Sequence, residues 1–214
     1  FRLFKKRNNK SNVRKKKSGA PLDSSSSELS RYIDHVATLP GHSKRVISVY
    51  VSSEFSMIIS GSEDHSMMIW DLNRLSFIRC IKHGGPVSYI AMNRANGDIA
   101  STCTNVADGK HYLFLWSVNG DLIHARLMKQ PITCMTFSSV EEGIHRNVIV
   151  VGLTNGTIYV MDAMDLSIKT RLRISKSNSR ITSIVINPSM TEIITGDEKG
   201  VVATWNVVLK RSNK

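Results

Sequence analysis

A stretch of eleven residues that recurs along the chain constrains the fold more than any other feature of the sequence. Residues 61–71 align without a gap with residues 152–162 and 196–206, and a further copy ends at Trp116, with extra residues at 105–110. The residues that anchor the four copies are spaced by 46, 45 and 44 positions: Trp70, Trp116, Met161 and Trp205. A fixed period of this size indicates a repeat architecture in which each unit buries its apolar surface against its neighbours.

Each period is built from short runs of β-branched or alternating residues, separated by Gly, Asn and Asp, which is typical of strands joined by tight turns. Four strands can be traced in each of the first three periods, and three in the fourth. A run at residues 32–38 is expected to supply the missing outer strand. Between the last two strands of the second period, Asn119-Gly120 favours a type I′ hairpin. The pattern predicts an all-β propeller of about four blades, with repeats near residues 40–81, 82–128, 129–175 and 176–207.

The first period carries a more specific signature. Gly41-His42 is followed 28 residues after the His by Trp70-Asp71, and this pair of motifs resembles the Gly-His…Trp-Asp signature of WD-repeat β-propellers. In that family a hydrogen-bond network joins the His, a strand hydroxyl, a turn Asp and the Trp indole. The resemblance implies the same structural network here, made by His42, Ser60, Asp64 and Trp70. Such a network is physically reasonable because buried polar groups need partners.

The other periods depart from this signature. Met161 stands where the family has Trp, and Lys199 stands where it has the turn Asp. His83 repeats the His position before Trp116. We therefore expect the complete network only in the first blade.

Further stretches are similar to the C-terminal propeller of BEACH-domain proteins, especially those of the lysosomal trafficking regulator (beige/Chediak–Higashi) type. The similarity covers about residues 40–206. A BEACH protein that carries a FYVE domain also shares the first two stretches but fits the last blade less well. The similarity implies that the chain is a C-terminal fragment of a longer protein. Since rings of this family usually have about seven blades, it also implies an open, partial ring. The stretches are residues 69–75, 97–100, 115–122, 142–144 with 147–149, and 176–178.

Charge is concentrated at the two ends of the chain. Of the formal net charge of +12, residues 1–30 carry +7, residues 207–214 carry +3 and the remainder only +2. Residues 1–30 have too little apolar surface to offset chain entropy, so we expect a disordered basic and Ser-rich linker, and a basic tail at 208–214. The same segment could also be a nuclear-import or nucleic-acid arm, a contact for anionic membrane or a phosphorylation tract.

Motifs for catalysis are missing from the sequence. It contains no Gly-x-Ser-x-Gly elbow, His-Glu-x-x-His pair, P-loop or Gly-x-Gly-x-x-Gly turn. The seven His residues are never at metal-ligand spacing. We expect no enzyme, no catalytic residue, no metal and no cofactor.

The resemblance also points to a surface for partners. In WD-repeat families partners contact the rim three residues past the His, which corresponds here to Arg45 and Pro86. Lys44 and Glu63 are expected beside Arg45, so the four residues form a candidate partner-binding rim, with a plain solvated loop as the alternative.

Two functions of different classes follow from the sequence. In the first, the chain is a non-catalytic protein-interaction scaffold in lysosome and vesicle trafficking. It would be cytoplasmic and peripheral on endosomal or lysosomal membranes, with its basic N-terminal segment near anionic lipid. In the alternative, residues 1–17 recruit the protein to RNA or chromatin. The family resemblance favours protein partners over nucleic acid, and no small-molecule substrate is expected.

Overall fold

The computed structural model describes residues 34–138, 147–174, 178–187 and 191–207. The chain divides into two compact units, Phe1–Thr38 and Leu39–Lys214. In the first unit, residues 34–38 are exposed and contain no strand, and the ring of His35 bonds locally to the Thr38 hydroxyl over 3.1 Å. The expected strand at 32–38 is therefore wrong for these five residues, whose single large apolar side chain, Val36, is not buried. Residues 32 and 33 lie outside the described part.

The second unit consists of strands and turns, and its described residues include no helix. In the described part of the chain the strands form three four-stranded antiparallel sheets and one three-stranded sheet, each in sequential order, which confirms the predicted partial propeller of four blades. The strands are β1 Val46–Ser52, β2 Met57–Ser62, β3 Ser66–Asp71, β4 Ser76–Lys82, β5 Val87–Met92, β6 Ile99–Thr104, β7 His111–Trp116, β8 Leu122–Met128, β9 Ile132–Phe137, β10 Val148–Leu153, β11 Thr157–Asp162, β12 Ile168–Arg173, β13 Ile181–Ile186, β14 Glu192–Asp197 and β15 Val202–Asn206.

Burial follows the position of each strand in its blade. The inner strands β1, β5, β9 and β13 pack against one another from blade to blade. The middle strand β3 is buried along almost its whole length, including both Met67 and Met68, because neighbouring elements cover both of its faces. The outer strand β4 is mostly exposed. The blades therefore meet along their inner and middle strands.

The core is divided among the junctions between blades. One apolar cluster joins the first and second blades around Ile59 and Ile90, and another joins the second and third around Leu115 and Ile149. A third cluster, which includes Ile181, joins the third and fourth blades. Since every cluster is shared by two blades, each blade depends on a neighbour for its stability.

The connection between β7 and β8 departs from the expected turn type. Gly120 has φ +81°, but Asn119 is not in the left-handed region, whereas a type I′ turn needs both residues there. The amide of Gly120 donates to the Ser117 carbonyl over 2.8 Å, and the strand register shifts at Leu115/Trp116. The hairpin lies where predicted, but a longer connection with a left-handed glycine replaces the two-residue turn.

Candidate functional site

The alternating strand directions bring two kinds of loop to the same end of each blade, which we call the upper end. One is the loop that precedes the inner strand, and the other is the β2–β3 hairpin or its equivalent. In the first blade the amide of Glu63 in this hairpin donates to the carbonyl of Arg45 over 2.9 Å. The loop before β1 and the β2–β3 hairpin are thus held together.

The structure brings His42, Ser60, Asp64 and Trp70 into one connected chain of hydrogen bonds. The indole Nε1–H of Trp70 donates to Ser60 Oγ over 2.9 Å, and Ser60 Oγ lies 2.8 Å from His42 Nε2. His42 Nδ1 lies 2.9 Å from Asp64 Oδ2. With Nδ1 protonated and Nε2 bare, every group has a partner of the right kind. This series of hydrogen bonds links the middle of the blade to its upper loop.

Asp64 is the charged end of this hydrogen-bond network, and its carboxylate is almost completely buried. Burial alone would raise its pKa, but hydrogen bonds from Ser66, the Ser43 amide and His42 outweigh it and hold the pKa of Asp64 well below its ordinary value. Asp64 therefore stays ionised and fixes the loop before β1 through the 2.9 Å bond from the Ser43 amide.

The second blade contains three of the four groups. Trp116 Nε1 donates to Ser101 Oγ over 2.8 Å, and Ser101 Oγ lies 2.8 Å from His83 Nε2. His83 Nδ1 points to the carbonyl of Ile81 at 3.3 Å instead of to a carboxylate. Burial lowers the pKa of His83 to about 4, because no carboxylate pairs with the charged ring.

The fourth blade retains the indole–hydroxyl pair and replaces the turn Asp. Trp205 Nε1 donates to Thr195 Oγ1 over 3.1 Å. Asp197, two positions before Lys199, accepts the amides of Lys199 and Val201 at 2.9 Å each. A carboxylate still closes this turn, but from an earlier position in the hairpin.

The third blade lacks the indole and the hydroxyl together. Val151 stands at the position of Ser60 and Met161 at that of Trp70, and both are fully buried. Because both partners are missing, no buried polar group is left unpaired, and the replacement is nearly neutral for the stability of the fold.

Ser101 of the second blade and Thr195 of the fourth were absent from the predicted network, although a hydroxyl accompanies each Trp anchor at the same hairpin register.

The candidate rim combines opposite charges at the upper end of the first blade. Arg45 and Glu63 form an ion pair of 2.6 Å, in which the Arg45 side chain is 74% exposed. Lys44 is exposed, and its carbonyl accepts the Ser62 hydroxyl over 3.2 Å. Pro86 is half-buried in the equivalent loop of the second blade. Exposed ion pairs of this kind contribute little to stability.

The fourth blade has Arg180 and Glu198 at the positions of Arg45 and Glu63, a pair that sequence reasoning missed. The Glu198 amide donates to the Arg180 carbonyl over 2.9 Å, as in the first blade, and both residues are exposed. The available signal was an Arg directly before the inner strand and a Glu two residues after the aligned glycine.

A cavity of about 250 Å³ lies between β1, β5 and β9 and is bordered by Tyr50, Arg94 and Phe137. Its described lining contains no carboxylate, imidazole or thiol. Within the described ranges no group of three or more His, Cys, Asp or Glu side chains is placed to hold a metal ion. In the same part of the chain no helix is long and apolar enough to span a membrane. Residues 1–17, the alternative nucleic-acid arm, and residues 208–214 lie outside the described part.

Comparison with known proteins identifies related sequences and folds. The family model "WD domain, G-beta repeat" matches residues 33–71. The human lysosomal-trafficking regulator is 34% identical over 168 residues, covering 78% of this chain and 4% of that protein. The mouse WD repeat- and FYVE domain-containing protein 4 is 25% identical, covering 78% of this chain and 6% of the relative. Beige protein homolog 1 of Schizosaccharomyces pombe is 26% identical, with coverages of 82% and 8%.

The chain thus spans less than a tenth of the length of these relatives. Among solved structures, the computationally designed Ika4 protein matches with a TM-score of 0.61 at 20% identity, covering 82% of this chain and 99% of Ika4. That likeness concerns the fold alone.

Proposed function

The chain belongs to the WD-repeat proteins and is similar to the WD-repeat part of BEACH proteins of the lysosomal trafficking regulator type, and from this premise we propose that it is a non-catalytic protein-interaction scaffold in lysosome and vesicle trafficking. The observation that carries the proposal is the 34% identity over 168 residues to the human lysosomal-trafficking regulator. The name of that relative supplies the cellular process, and the exposed charged rim supplies a way to bind.

The rim is suited to an extended peptide of mixed charge. The guanidinium of Arg45 can donate two parallel hydrogen bonds to a carboxylate of the partner. Once separated from Arg45, the carboxylate of Glu63 can accept a hydrogen bond from a Lys or Arg of the partner. Lys44 adds a second cation on the same loop. Because the ion pair is exposed, exchanging it for partner contacts costs little desolvation.

The buried network gives the rim its rigidity. Asp64 accepts the Ser43 amide and the His42 ring, which fixes the loop just before Lys44, and the Glu63 amide holds the loop at the Arg45 carbonyl. A loop held in this way loses little entropy on binding, which increases the affinity available from few contacts. Binding residues are commonly carried on loops that a rigid scaffold positions.

In the proposed location the chain is cytoplasmic and peripheral on endosomal or lysosomal membranes. Residues 1–17, which are rich in Lys and Arg, would add weak attraction to anionic lipid of the cytoplasmic leaflet. The protein contacts of the rim would provide the specificity.

The test is quantitative affinity capture from cell extracts with the immobilised chain. The double variant Lys44→Glu, Arg45→Glu should lose most captured proteins, and those lost should be mainly proteins of vesicle trafficking. The matched control is Arg74→Glu, Arg94→Glu, which makes the same charge change at the opposite end of the blades. It should capture what the unaltered chain captures.

Two results would contradict the proposal. In one, the Lys44/Arg45 variant retains the full set of partners. In the other, the captured material is mainly RNA-dependent and is lost when residues 1–17 are deleted, which would support the nucleic-acid alternative.

A further inference from the structure

The charges of the blades are segregated between the inner and the outer strands. The inner strands β1, β5, β9 and β13 contain no charged residue, whereas the outer strands β4, β8 and β12 carry six Lys or Arg and no Asp or Glu. The nearly neutral body of the chain therefore has a basic outer edge. The six residues are Arg79, Lys82, Arg126, Lys169, Arg171 and Arg173.

Strand β12 of the third blade holds half of these charges. Arg171 pairs with Tyr159 and Arg173 with Thr157 across the β11–β12 ladder, and residues two apart in a strand share one face. Tyr159 belongs to the cluster between the second and third blades. Both guanidinium groups therefore lie on the side of β12 that faces the second blade, on backbone positions about 7 Å apart.

The charges of Arg171 and Arg173 are not neutralised by a neighbouring acid. Both side chains are exposed, and in the part of the chain that the structure describes neither lies within 4 Å of a carboxylate. Lys169 of the same strand, by contrast, pairs with Asp162 over 3.3 Å. The guanidinium carbon of Arg171 lies 5.4 Å from the centre of the Tyr159 ring, a cation–π contact that orients it.

The second blade adds a third guanidinium next to β12. Arg126 in β8 pairs with Leu113, which belongs to the same cluster as Tyr159. Its Nη1 donates to the carbonyl of Leu166, in the turn that leads into β12, over 2.9 Å. Arg126 also has no described carboxylate at ion-pair distance. Two blades thus supply unneutralised positive charge to one stretch of the outer edge.

The outer edge of β12 is open to a further strand. The sheet of the third blade has the order β12-β11-β10-β9, and no strand among the described residues pairs with the other side of β12. Every second residue of such an edge strand directs its amide and carbonyl outward. Since the third blade packs against a blade on each side, this edge is exposed independently of where the chain begins or ends.

We propose that the edge of β12 binds an extended acidic segment of a partner protein, with Asp or Glu at alternate positions facing Arg171 and Arg173. The spacing of about 7 Å matches that of alternate side chains in an extended peptide. Strand addition supplies main-chain hydrogen bonds, and arginine clusters recognise acidic motifs. The intervening side chains of the partner are uncharged, because they lie on the side of Leu172, which packs against the apolar cluster of the fourth blade.

The open edge favours a peptide over nucleic acid or lipid, since neither of these can pair with a strand. Each guanidinium can donate two parallel hydrogen bonds to a carboxylate. The inference is independent of the trafficking proposal and concerns a surface other than the candidate rim, so either can fail without the other.

The first test measures the affinity of the 214-residue chain for a fluorescent eight-residue peptide in which Glu alternates with Thr. The variant Arg171→Glu, Arg173→Glu should bind it at least tenfold more weakly. The matched control Arg79→Glu, Lys82→Glu makes the same charge change on the outer strand of the first blade and should bind within about twofold of the unaltered chain. A peptide with Lys in place of Glu should reverse the preference and bind the Arg171/Arg173 variant better.

The second test asks whether the peptide pairs as a strand. Two further peptides of the same sequence carry N-methyl groups, one at every Glu and the other at every Thr. Because the amides of an edge strand point alternately to its neighbour and to solvent, one of the two should lose at least tenfold in affinity and the other should not.

Four results would overturn the proposal. The first is that the Glu–Thr peptide does not bind, and the second is that the Arg171/Arg173 variant binds it unchanged. The third is an equal loss in the Arg79/Lys82 control, which would mean general attraction to a basic outer edge. The fourth is an equal effect of the two methylation patterns, which would exclude strand pairing.

Discussion

The indole N–H of Trp70 donates to the hydroxyl of Ser60 over 2.9 Å, and that hydroxyl lies 2.8 Å from the ring of His42. Ser60 therefore serves as acceptor and donor at once and joins the core of the first blade to its upper loop. The third blade, with Val151 and Met161 at the equivalent positions, fills the same space without polar groups. This contrast leads to the first prediction.

Ser60→Ala should destabilise the chain by about 1–3 kcal/mol, because Trp70 Nε1 and His42 Nε2 lose their buried partner. Val151→Ser is the reverse substitution at the equivalent position of the third blade. It should also destabilise, by a similar amount, since the new hydroxyl has no indole partner. Urea unfolding followed by tryptophan fluorescence measures both effects. A neutral Ser60→Ala would show that the chain of bonds is not a structural element.

Asp64→Asn should cost about 1.5–3 kcal/mol at neutral pH, the range for hydrogen bonds to a charged group. Because folding lowers the pKa of Asp64, its stabilising contribution is present above the ordinary carboxyl pKa and declines as pH falls below it. The difference between the two proteins should therefore shrink in acid. Unfolding curves at pH 7 and pH 3 test this, and a difference independent of pH would contradict the assigned role.

His83 should give the stability of the fold a second pH dependence, at higher pH than that of Asp64. Its pKa falls to about 4 in the folded chain, so the unfolded chain binds the proton more tightly. Above the ordinary His pKa of about 6.5 the ring is neutral in both the folded and the unfolded chain. As pH falls from there towards 4, the unfolded chain is protonated first, and the free energy of unfolding decreases by about 3 kcal/mol in all. His83→Gln should flatten that part of the stability profile. An unchanged profile in the variant would assign the dependence to other groups.

Much of the fold could be predicted from the sequence, for a physical reason. The period of about 45 residues and the alternation within it are local properties, and they predict four strands in each of the first three periods and three in the fourth, as the described residues have. The predicted strand at 32–38 was wrong for residues 34–38, because an outer strand depends on a distant partner that its own residues do not encode.

The site was predicted less completely. The first blade has the uninterrupted motif, and its four network residues could be named from it. In the second blade the extra residues at 105–110 lengthen the hairpin and hide the match of Ser101 to Ser60. In the fourth, Asp197 acts from another position of the turn. Equivalent contacts made from different positions are visible only once strand register is known.

Deleting residues 1–30 should leave the thermal midpoint unchanged, because every described strand begins at or after Val46 and the sequence of this segment is typical of a linker. Differential scanning calorimetry of the full and shortened chains measures it. Protein capture should also be unchanged. The deletion should remove only a salt-sensitive attraction to anionic vesicles. A lower midpoint on deletion would mean that the segment packs on the blades.

The most direct test of the central claim is capture of trafficking proteins by the Lys44→Glu, Arg45→Glu variant, measured together with its thermal stability. The ion pair of Arg45 with Glu63 is exposed, so its loss should cost less than about 1 kcal/mol. The account predicts an almost unchanged melting temperature and loss of most captured partners. Full capture by this variant would contradict it, because the rim would then be a solvated loop and partners would bind elsewhere.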